Sequence, residues 1–224
     1  MMAKRTEQSL SSSLESCTDE ELLARMRAGE EEAFDLLFTR REGLVYRFAL
    51  RMSGSTAMAD DVTQDVFLAL IRSAHLFDPS RGPLSKYLLG MTRNRVLTLL
   101  ERQRSLVPLQ EDDGEEVSLP EARRTADSDP LGELVRSERI EAVRSAILSL
   151  PLHYREAVLL CSLEELSYEE AADLIGCPVG TIRSRINRAK AMLAERLHVS
   201  QAGADSPKMT TPSPEWRLPS ESTV

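Results

Sequence analysis

The positive side chains of residues 178–196 are gathered into a short stretch that could bind a polyanion. The stretch holds five Arg or Lys residues and one acid, whereas surface helices usually alternate the two signs. At about 100° per residue, its apolar side chains fall on one face. The apolar face consists of Ile182, Ile186, Ala189 and Leu193, and the opposite face of Arg183, Ser184, Asn187, Arg188 and Lys190. Donor-rich side chains with little negative charge suit the base edges and phosphates of a DNA major groove.

A short helix and a glycine-bearing turn precede this face. Residues 167–170, Ser-Tyr-Glu-Glu, form a capping box that predicts a helix start. Gly176 can end that helix with a positive φ, and Pro178 suits the first turn of the next helix. Helix, short turn and helix are the layout of a helix-turn-helix that reads duplex DNA. The alternative is the solvated face of an ordinary helical bundle, and the excess of cations favours DNA.

A second stretch, 84–104, combines cations with an aromatic ring and an amide. Its predicted buried side chains are Leu84, Leu88, Met91, Val96 and Leu99. We expect Lys86, Arg93 and Arg104 to project from one outward strip, and Tyr87, Asn94 and Thr98 from the neighbouring strip. Cations beside an aromatic ring suit single-stranded DNA, whose phosphates need neutralising and whose bases stack. A basic surface helix with a half-buried tyrosine explains this stretch equally well when it is taken alone.

Residues 58–74 predict a helix with an unusual polar face. The buried stripe is expected to contain Val62, Val66, Phe67, Leu70 and Ile71. The other side carries Asp61, Gln64, Asp65 and Leu68, at the i, i+3, i+4, i+7 spacing of neighbours on a helix. A leucine flanked by two carboxylates and an amide is typical of a protein-docking patch. The signal is weak alone, since single exposed leucines are common.

Composition limits the fold and the class of function. Of the 224 residues only 4% are aromatic, and helix-forming residues dominate, which favours an all-α fold. No apolar run is long enough to span a membrane, and the first residues lack the apolar core of a signal peptide, so we expect a cytoplasmic protein without direct membrane insertion. Three cysteines and three histidines show no metal-ligand spacing. We therefore expect no metal, no cofactor and no catalytic residues, and hence no enzyme.

The net charge of −8 is unevenly distributed along the chain. Residues 105–135 contain nine acids against two arginines, together with three prolines, which predicts a flexible acidic linker. The chain is thus predicted to form two small helical domains, 18–104 and 136–199, on that linker. We expect residues 1–17 and 200–224 to be disordered. Because local clustering determines the electrostatic field, the acidic total does not exclude a nucleic-acid partner.

Two sets of motifs resemble extracytoplasmic-function sigma factors of bacterial RNA polymerase. Residues 61–67 (DVTQDVF), 77–82 (FDPSRG) and 92–94 (TRN) are similar to region 2 of that family. Residues 150–151 (LP), 154–156 (YRE), 166–172 (LSYEEAA) and 178–185 (PVGTIRSR) are similar to region 4. The resemblance spans 20–104 and 136–199, about two thirds of the chain, and both sets stand in the family's order. A short linker with no third domain distinguishes this class from larger sigma factors.

The resemblance implies a factor that binds core polymerase and directs promoter recognition, DNA melting and initiation. The positions that match the surface gripping the β′ clamp helices are Asp61, Gln64, Asp65 and Leu68. Those that match the part opening the minus-ten element and capturing the melted non-template strand are Asp78, Ser80, Arg81, Lys86, Tyr87, Arg93 and Asn94. Those that match the reader of the minus-thirty-five duplex are Tyr168, Glu169, Arg183, Ser184, Asn187, Arg188 and Lys190. The family also implies contact with the β flap and an anti-sigma partner. Tyr87 stands where the family usually has tryptophan.

A helix-turn-helix regulator that never joins the polymerase is the alternative function. It would account for residues 167–196, because they alone suffice to read duplex DNA. It leaves the polar faces of 58–74 and 84–104 without a role. The two hypotheses therefore differ in whether the protein co-purifies with core polymerase.

Overall fold

The computed structural model describes residues 14, 16–106 and 130–204, with side chains at 14, 16–105 and 136–197. The regular structure of these residues is helical throughout, which confirms the predicted all-α fold for the described part of the chain. Most of the predicted acidic linker and of the two predicted disordered ends lies outside the described residues.

Between residues 16 and 106, the N-terminal bundle contains four helices: α1 (Asp19–Arg27), α2 (Glu31–Ser53), α3 (Thr56–Ser73) and α4 (Leu84–Leu106). The predicted capping box starts α1: the Glu21 amide donates to Thr18 Oγ1 (3.2 Å), and the Thr18 amide donates to the Glu21 carboxylate (2.8 Å). Fully buried side chains from all four helices meet in one core, among them Leu22, Leu37, Phe48, Val62, Leu84 and Leu88. Two single 3₁₀ turns, Ala74–Leu76 and Pro79–Arg81, connect α3 to α4.

The C-terminal bundle also contains four helices: α5 (Pro130–Leu148), α6 (Leu152–Val158), α7 (Tyr168–Ile175) and α8 (Val179–Ala204). A π-helical turn, Leu159–Leu163, continues α6. The buried side chains of this bundle include Leu150, Leu159, Leu160, Ile182, Ile186 and Ala189. The predicted apolar stripe on α8 is therefore buried at Ile182, Ile186 and Ala189 and half-buried at Leu193.

Several predicted boundaries and buried positions differ from the structure. Helix α5 begins at Pro130, six residues before the predicted start of the C-terminal domain at 136, because proline fits the first turn of a helix, where no amide donor is needed. Helix α8 extends to Ala204 rather than ending near 199. Ile71, predicted to be buried on α3, is 49% exposed, since it lies at the edge of the stripe.

The two bundles pack against each other along α2 and α4. Arg155 of α6 donates to the carbonyl of Met52 (2.6 Å) in the last turn of α2, and to the carbonyls of Leu148 and Leu150 where α5 ends. One guanidinium thus satisfies backbone acceptors at the C-terminal ends of two helices from two bundles, where the helix dipole favours a cation. Gly54, at φ +77°, leaves room for Leu148, whose Cδ2 would lie 3.2 Å from an added Cβ.

Candidate nucleic-acid and docking surfaces

The outward face of α8 is presented by a helix-turn-helix. Ser167 caps α7 through its hydroxyl, which accepts from the Glu170 amide (3.1 Å), and the Glu170 carboxylate accepts from the Ser167 amide (2.9 Å). Gly176 ends α7 at φ +79°, a left-handed conformation that favours glycine. Helix α8 starts at Val179, so Pro178 lies just before its first turn. The five predicted reading residues, Arg183, Ser184, Asn187, Arg188 and Lys190, are all exposed.

Two side chains near this face have partners within their own bundle. Arg188 Nη1 donates to the Tyr154 hydroxyl at 3.5 Å, and this hydrogen bond raises the pKa of Arg188. Ser184 Oγ donates to the Thr181 carbonyl at 2.9 Å, as hydroxyls often do within helices. Of the two further predicted contacts on α7, Glu169 is exposed and Tyr168 is half-buried. The α8 face is thus open to a ligand in this arrangement.

The turn before α4 forms one wall of a cleft of about 640 Å³. Asp78 Oδ1 accepts from the Ser80 amide (3.0 Å) and from Ser80 Oγ (2.7 Å), and these hydrogen bonds lower the pKa of Asp78. The Phe77 and Tyr87 rings meet edge to face at 5.5 Å between centroids. The cleft lining includes all the predicted minus-ten residues except Arg93, namely Asp78, Ser80, Arg81, Lys86, Tyr87 and Asn94, together with Asp173 and Leu174 of α7.

Lys86 and Arg93 do not project into solvent as the sequence pattern predicts. The side chains are 17% and 14% exposed. Lys86 Nζ lies 3.9 Å from Asp173 Oδ2, and Arg93 Nε donates to Glu156 Oε2 at 2.9 Å. Both partners belong to the C-terminal bundle. The outward strip of α4 is therefore partly covered by the other bundle, which no periodicity within α4 could indicate.

Glu156 is the centre of the most buried of these ion pairs. Only 5% of its side chain is exposed, and its second oxygen, Oε1, accepts from Arg185 Nη1 at 3.0 Å. One carboxylate thus binds an arginine of α4 and an arginine of α8. A buried carboxylate requires such partners, because removing it from water costs on the order of several kcal/mol.

The polar face of α3 is mostly open. Asp61, Gln64 and Leu68 are exposed, and Leu68 is 42% exposed. Asp65 differs from the prediction that it points freely outward: its carboxylate accepts from Arg95 Nε of α4 at 2.7 Å and is half-buried. Asp65 therefore ties α3 to α4, while the other three residues remain available to a partner.

Sequence reasoning missed Glu156 and Arg155 as organising residues. The sequence around Glu156 contains a usable signal, because a charged residue directly before the apolar run 157–160 is expected to be drawn into the core with a partner. The identity of that partner is not visible locally, since Arg93 lies 63 residues away.

Within the described residues, no group of three His, Cys, Asp or Glu side chains is placed to hold a metal ion. None of the helices described there is both long and apolar enough to cross a bilayer.

Comparison with known proteins gives two family matches on this chain. The profile of sigma-70 region 2 matches residues 37–106, which include α3, the cleft turn and α4. The profile of sigma-70 region 4 matches residues 140–193, which include the C-terminal part of α5, all of α6 and α7, and the reading face of α8. Together the two matches cover more than half of the chain.

Individual relatives align across both bundles. The chain is 34% identical over 168 residues to the ECF RNA polymerase sigma factor SigE of Mycolicibacterium smegmatis, covering 74% of this chain and 62% of that relative, just under two thirds of its length. It is 32% identical over 192 residues to the ECF RNA polymerase sigma-E factor of Haemophilus influenzae, covering 82% and 97%. Among solved structures, it resembles sigma factor RpoE from Bartonella quintana, crystallised with the anti-sigma factor NepR. That match has a TM-score of 0.58 and 26% identity, and covers 74% of this chain and 97% of the other.

Proposed function

Because the chain belongs to the extracytoplasmic-function family of RNA polymerase sigma factors, we propose that it binds core RNA polymerase and directs it to a specific set of promoters. Members of this family are initiation factors and not enzymes: the polymerase makes the RNA bonds, while the sigma factor selects and opens the DNA. The place of action is the cytoplasm, where the polymerase works. An anti-sigma protein is a further expected partner, as in the solved relative.

The proposed contact with the β′ clamp helices is the polar face of α3. Asp61, Gln64 and Leu68 support this role, because all three are exposed and one face of the helix presents them together. Asp65 contributes through its ion pair with Arg95, which keeps α3 aligned with α4. The C-terminal bundle is the proposed contact with the β flap.

The proposed minus-ten site is the cleft between the Asp78 turn and α4. Asp78 and Ser80 fix the turn by hydrogen bonds, and the Phe77–Tyr87 ring pair offers an aromatic wall for an unstacked base. Arg81 and Asn94 are exposed at the cleft, whereas Lys86 and Arg93 supply cations for phosphates once their acidic partners withdraw. Flipping a base out of the stack costs roughly a few kcal/mol, and contacts of the base with the pocket and of the phosphates with the cations must offset that cost.

The proposed minus-thirty-five reader is the helix-turn-helix of α7 and α8. Its second helix enters a major groove, where Arg183, Ser184, Asn187 and Arg188 reach base edges or phosphates and Lys190 reaches a phosphate. Tyr168 and Glu169 flank the start of α7 beside that surface. The face is exposed and carries no acid, which suits a duplex.

The observation that carries the proposal is the presence of both modules in one chain. A regulator independent of polymerase needs only the helix-turn-helix, but the region 2 match covers residues 37–106, including the exposed patch on α3 and the cleft. The regulator hypothesis leaves that half unexplained.

The direct test is transcription in vitro from fragmented genomic DNA with purified core polymerase, with and without the protein. We expect a set of new start sites that share an upstream and a downstream element. Purified core alone provides the background. Absence of any protein-dependent start sites, or of binding to core in a pull-down, would contradict the proposal.

The docking role has a sharper test in paired variants. Gln64→Ala with Leu68→Ala is expected to weaken binding to core about tenfold or more, since truncating a hot-spot side chain at the centre of an interface costs about 2 kcal/mol. The control is Gln103→Ala, which removes the same amide from an exposed site elsewhere on the N-terminal bundle. Equal core affinity of the double variant and of this control would remove α3 from the interface.

A further inference from the structure

Two side-chain contacts join α6 to the edge of the reading face on α8. Glu156 Oε1 accepts from Arg185 Nη1 at 3.0 Å, and the Tyr154 hydroxyl accepts from Arg188 Nη1 at 3.5 Å. All four residues belong to the C-terminal bundle. Because the two arginines are three positions apart on α8, they are neighbours on the surface of the helix. Helix α6 therefore contacts both the core side of α8 and a predicted reader of DNA.

The Glu156–Arg185 contact fixes the rotation of α8 about its own axis. The side chain of Glu156 is 5% exposed and that of Arg185 is 22% exposed, so little water competes for this ion pair. The apolar side of the helix acts in the same sense, because Ile182 and Ile186 are buried in the core. With the helix held in this way, the direction of Arg188 depends on its own torsion angles and on what its guanidinium contacts.

Tyr154 provides a fixed point for that guanidinium. Its half-buried ring packs against the core, and the ring centroid lies 4.0 Å from that of His153. A tyrosine has only two side-chain torsion angles, so packing of the ring also fixes the position of the hydroxyl. The hydrogen bond to this hydroxyl raises the pKa of Arg188 and therefore favours its charged form.

Arg188 differs in this respect from the other cations of the reading face. Arg183 and Lys190 are exposed, and neither has a hydrogen-bond or ion-pair partner among the described residues. A long side chain without a partner samples several rotamers, and ordering it against a ligand costs conformational entropy. Arg188 has lost part of that freedom before any DNA is bound.

We infer that Tyr154 is a positioning residue for sequence recognition, which orients Arg188 toward a base edge of the minus-thirty-five element and strengthens the preference at one base pair. The inference rests on the proposed function, since it takes α8 as the helix that enters the major groove. The hydroxyl uses one of the five N–H donors of a guanidinium, which leaves enough donors for a bidentate contact with guanine. Tyr154 itself needs no contact with DNA in this role.

The opposite role for Tyr154 would be competition with DNA. A hydroxyl that held Arg188 away from the duplex would weaken recognition, and removing it would strengthen recognition. The exposure of Arg188 favours positioning, because the guanidinium remains open to a ligand while it is hydrogen-bonded. Positioning predicts that recognition weakens without the hydroxyl, since DNA alone must then order the arginine.

The test removes only the hydroxyl of Tyr154. Tyr154→Phe keeps the ring and its packing, so the fold is retained. Tyr46→Phe is the matched control, because Tyr46 is a half-buried tyrosine of α2 in the other bundle. Core polymerase with each full-length variant transcribes a promoter library that is randomised in the upstream element. Arg188→Ala identifies the base pair that Arg188 reads, and Tyr154→Phe with Arg188→Ala completes a double-mutant cycle.

We expect Tyr154→Phe to reduce the preference at the base pair read by Arg188 about threefold, the size of effect expected from the entropy of ordering one long side chain. Preference at the other positions should match the wild type, and Tyr46→Phe should match it throughout. In the Arg188→Ala background, Tyr154→Phe should have no further effect. A merely structural role of Tyr154 would instead weaken recognition at every position in both backgrounds.

Several outcomes would overturn the inference. They are an unchanged or a strengthened preference in Tyr154→Phe, an equal effect of Tyr154→Phe with and without Arg188, and an Arg188→Ala variant that alters preference at no single position. Failure of the proposed function has a different signature, because the wild type itself would then give no protein-dependent start sites with core polymerase. A wild type that initiates while Tyr154→Phe keeps its full preference contradicts the role of Tyr154 alone.

Discussion

Helices α4 and α8 both carry a row of cations, but they present it in opposite ways. The cations at the centre of the α8 face are open to solvent, and Arg188 interacts with a tyrosine of its own bundle. On α4, Lys86 and Arg93 are paired with acids supplied by the other bundle. The number of cations on a helix therefore does not determine whether the helix is available to DNA. Its availability depends on which other elements pack against those cations.

The largest expected effect comes from making that packing irreversible. The variant Gly90→Cys with Leu174→Cys introduces one cysteine on α4 and one on α7. A Cβ added at position 90 would lie 3.9 Å from Leu174 Cγ, so the two cysteines can form a disulfide after small adjustments. The oxidised protein is expected to lose transcription with core polymerase completely, because the disulfide holds α7 against the proposed strand site on α4. Reduction with dithiothreitol should restore it. Transcription is measured on a promoter identified with the wild type.

Two controls make this result specific. The wild-type chain, which has free cysteines at positions 17, 161 and 177, passes through the same oxidation, and each single-cysteine variant does as well. Non-reducing electrophoresis and mass spectrometry establish which pair is linked. If the 90–174 linked protein initiates as well as its reduced form, the difference between α4 and α8 has no functional consequence.

A smaller effect distinguishes the two surfaces within the polymerase complex. Arg93→Ala should slow promoter opening while leaving sequence preference in the upstream element intact. Arg188→Ala should leave promoter opening intact and impair recognition of the upstream element. If the arginine binds a base edge, the loss should be ~1–3 kcal/mol and confined to one position. If it binds a phosphate, the affinity for all sequences should fall alike, and the salt dependence of binding should become less steep by about one unit. Arg102→Ala, an exposed arginine on the C-terminal part of α4, is the control.

These outcomes are read from a promoter library transcribed with each variant and from permanganate footprinting of the melted strand. At least one of Arg183, Ser184, Asn187 and Arg188 is expected to alter preference at a single upstream position when changed to alanine. If all four variants keep the wild-type preference, the reading surface is not on α8. If Arg93→Ala opens promoters at the wild-type rate, the α4 cleft is not the strand site.

The parts of the molecule that sequence could predict are those determined by local physics. The capping boxes at Thr18 and Ser167 depend on residues three apart, and both are formed. The buried stripe of α8 follows from helical periodicity, as does the exposure of Gln64 and Leu68 on α3. Gly176 takes the left-handed conformation expected at the end of α7, because few other residues adopt it without strain.

The parts that sequence missed depend on contacts between distant residues. Periodicity places Arg93 on the outward strip of α4, and only the folded chain brings Glu156 against it. Ile140 and Val143 fit an apolar stripe with Ile147 and Leu150, yet each is 43% exposed, because the N-terminal part of α5 lies beyond the core of its bundle. A helical pattern indicates which residues share a face, whereas the partner of that face is set by tertiary packing.

The smallest expected effect concerns Arg51 and Glu164, a second ion pair between the bundles. Arg51 Nη1 lies 3.2 Å from Glu164 Oε1. Burial is the main cause that raises the pKa of Glu164 above its usual 4.5, and burial also lowers the pKa of Arg51. Both directions indicate that removing these charges from water costs more than their attraction returns. This pair therefore contributes little to holding the two bundles together.

The sign of the pH effect follows from the raised pKa of Glu164. The folded state prefers the protonated acid, so its contribution to stability is complete below about pH 4.5 and is lost as the pH rises through the folded pKa. Glu164→Gln lacks this loss, and its free energy of unfolding relative to the wild type should rise between pH 4 and pH 7 by less than about 1 kcal/mol. Urea unfolding followed by circular dichroism measures this difference, with Glu141→Gln as the matched control. A relative stability that falls over the same range would mean that the attraction of Arg51 outweighs the cost of burial, and the Glu164 pair would then stabilise the contact between the bundles.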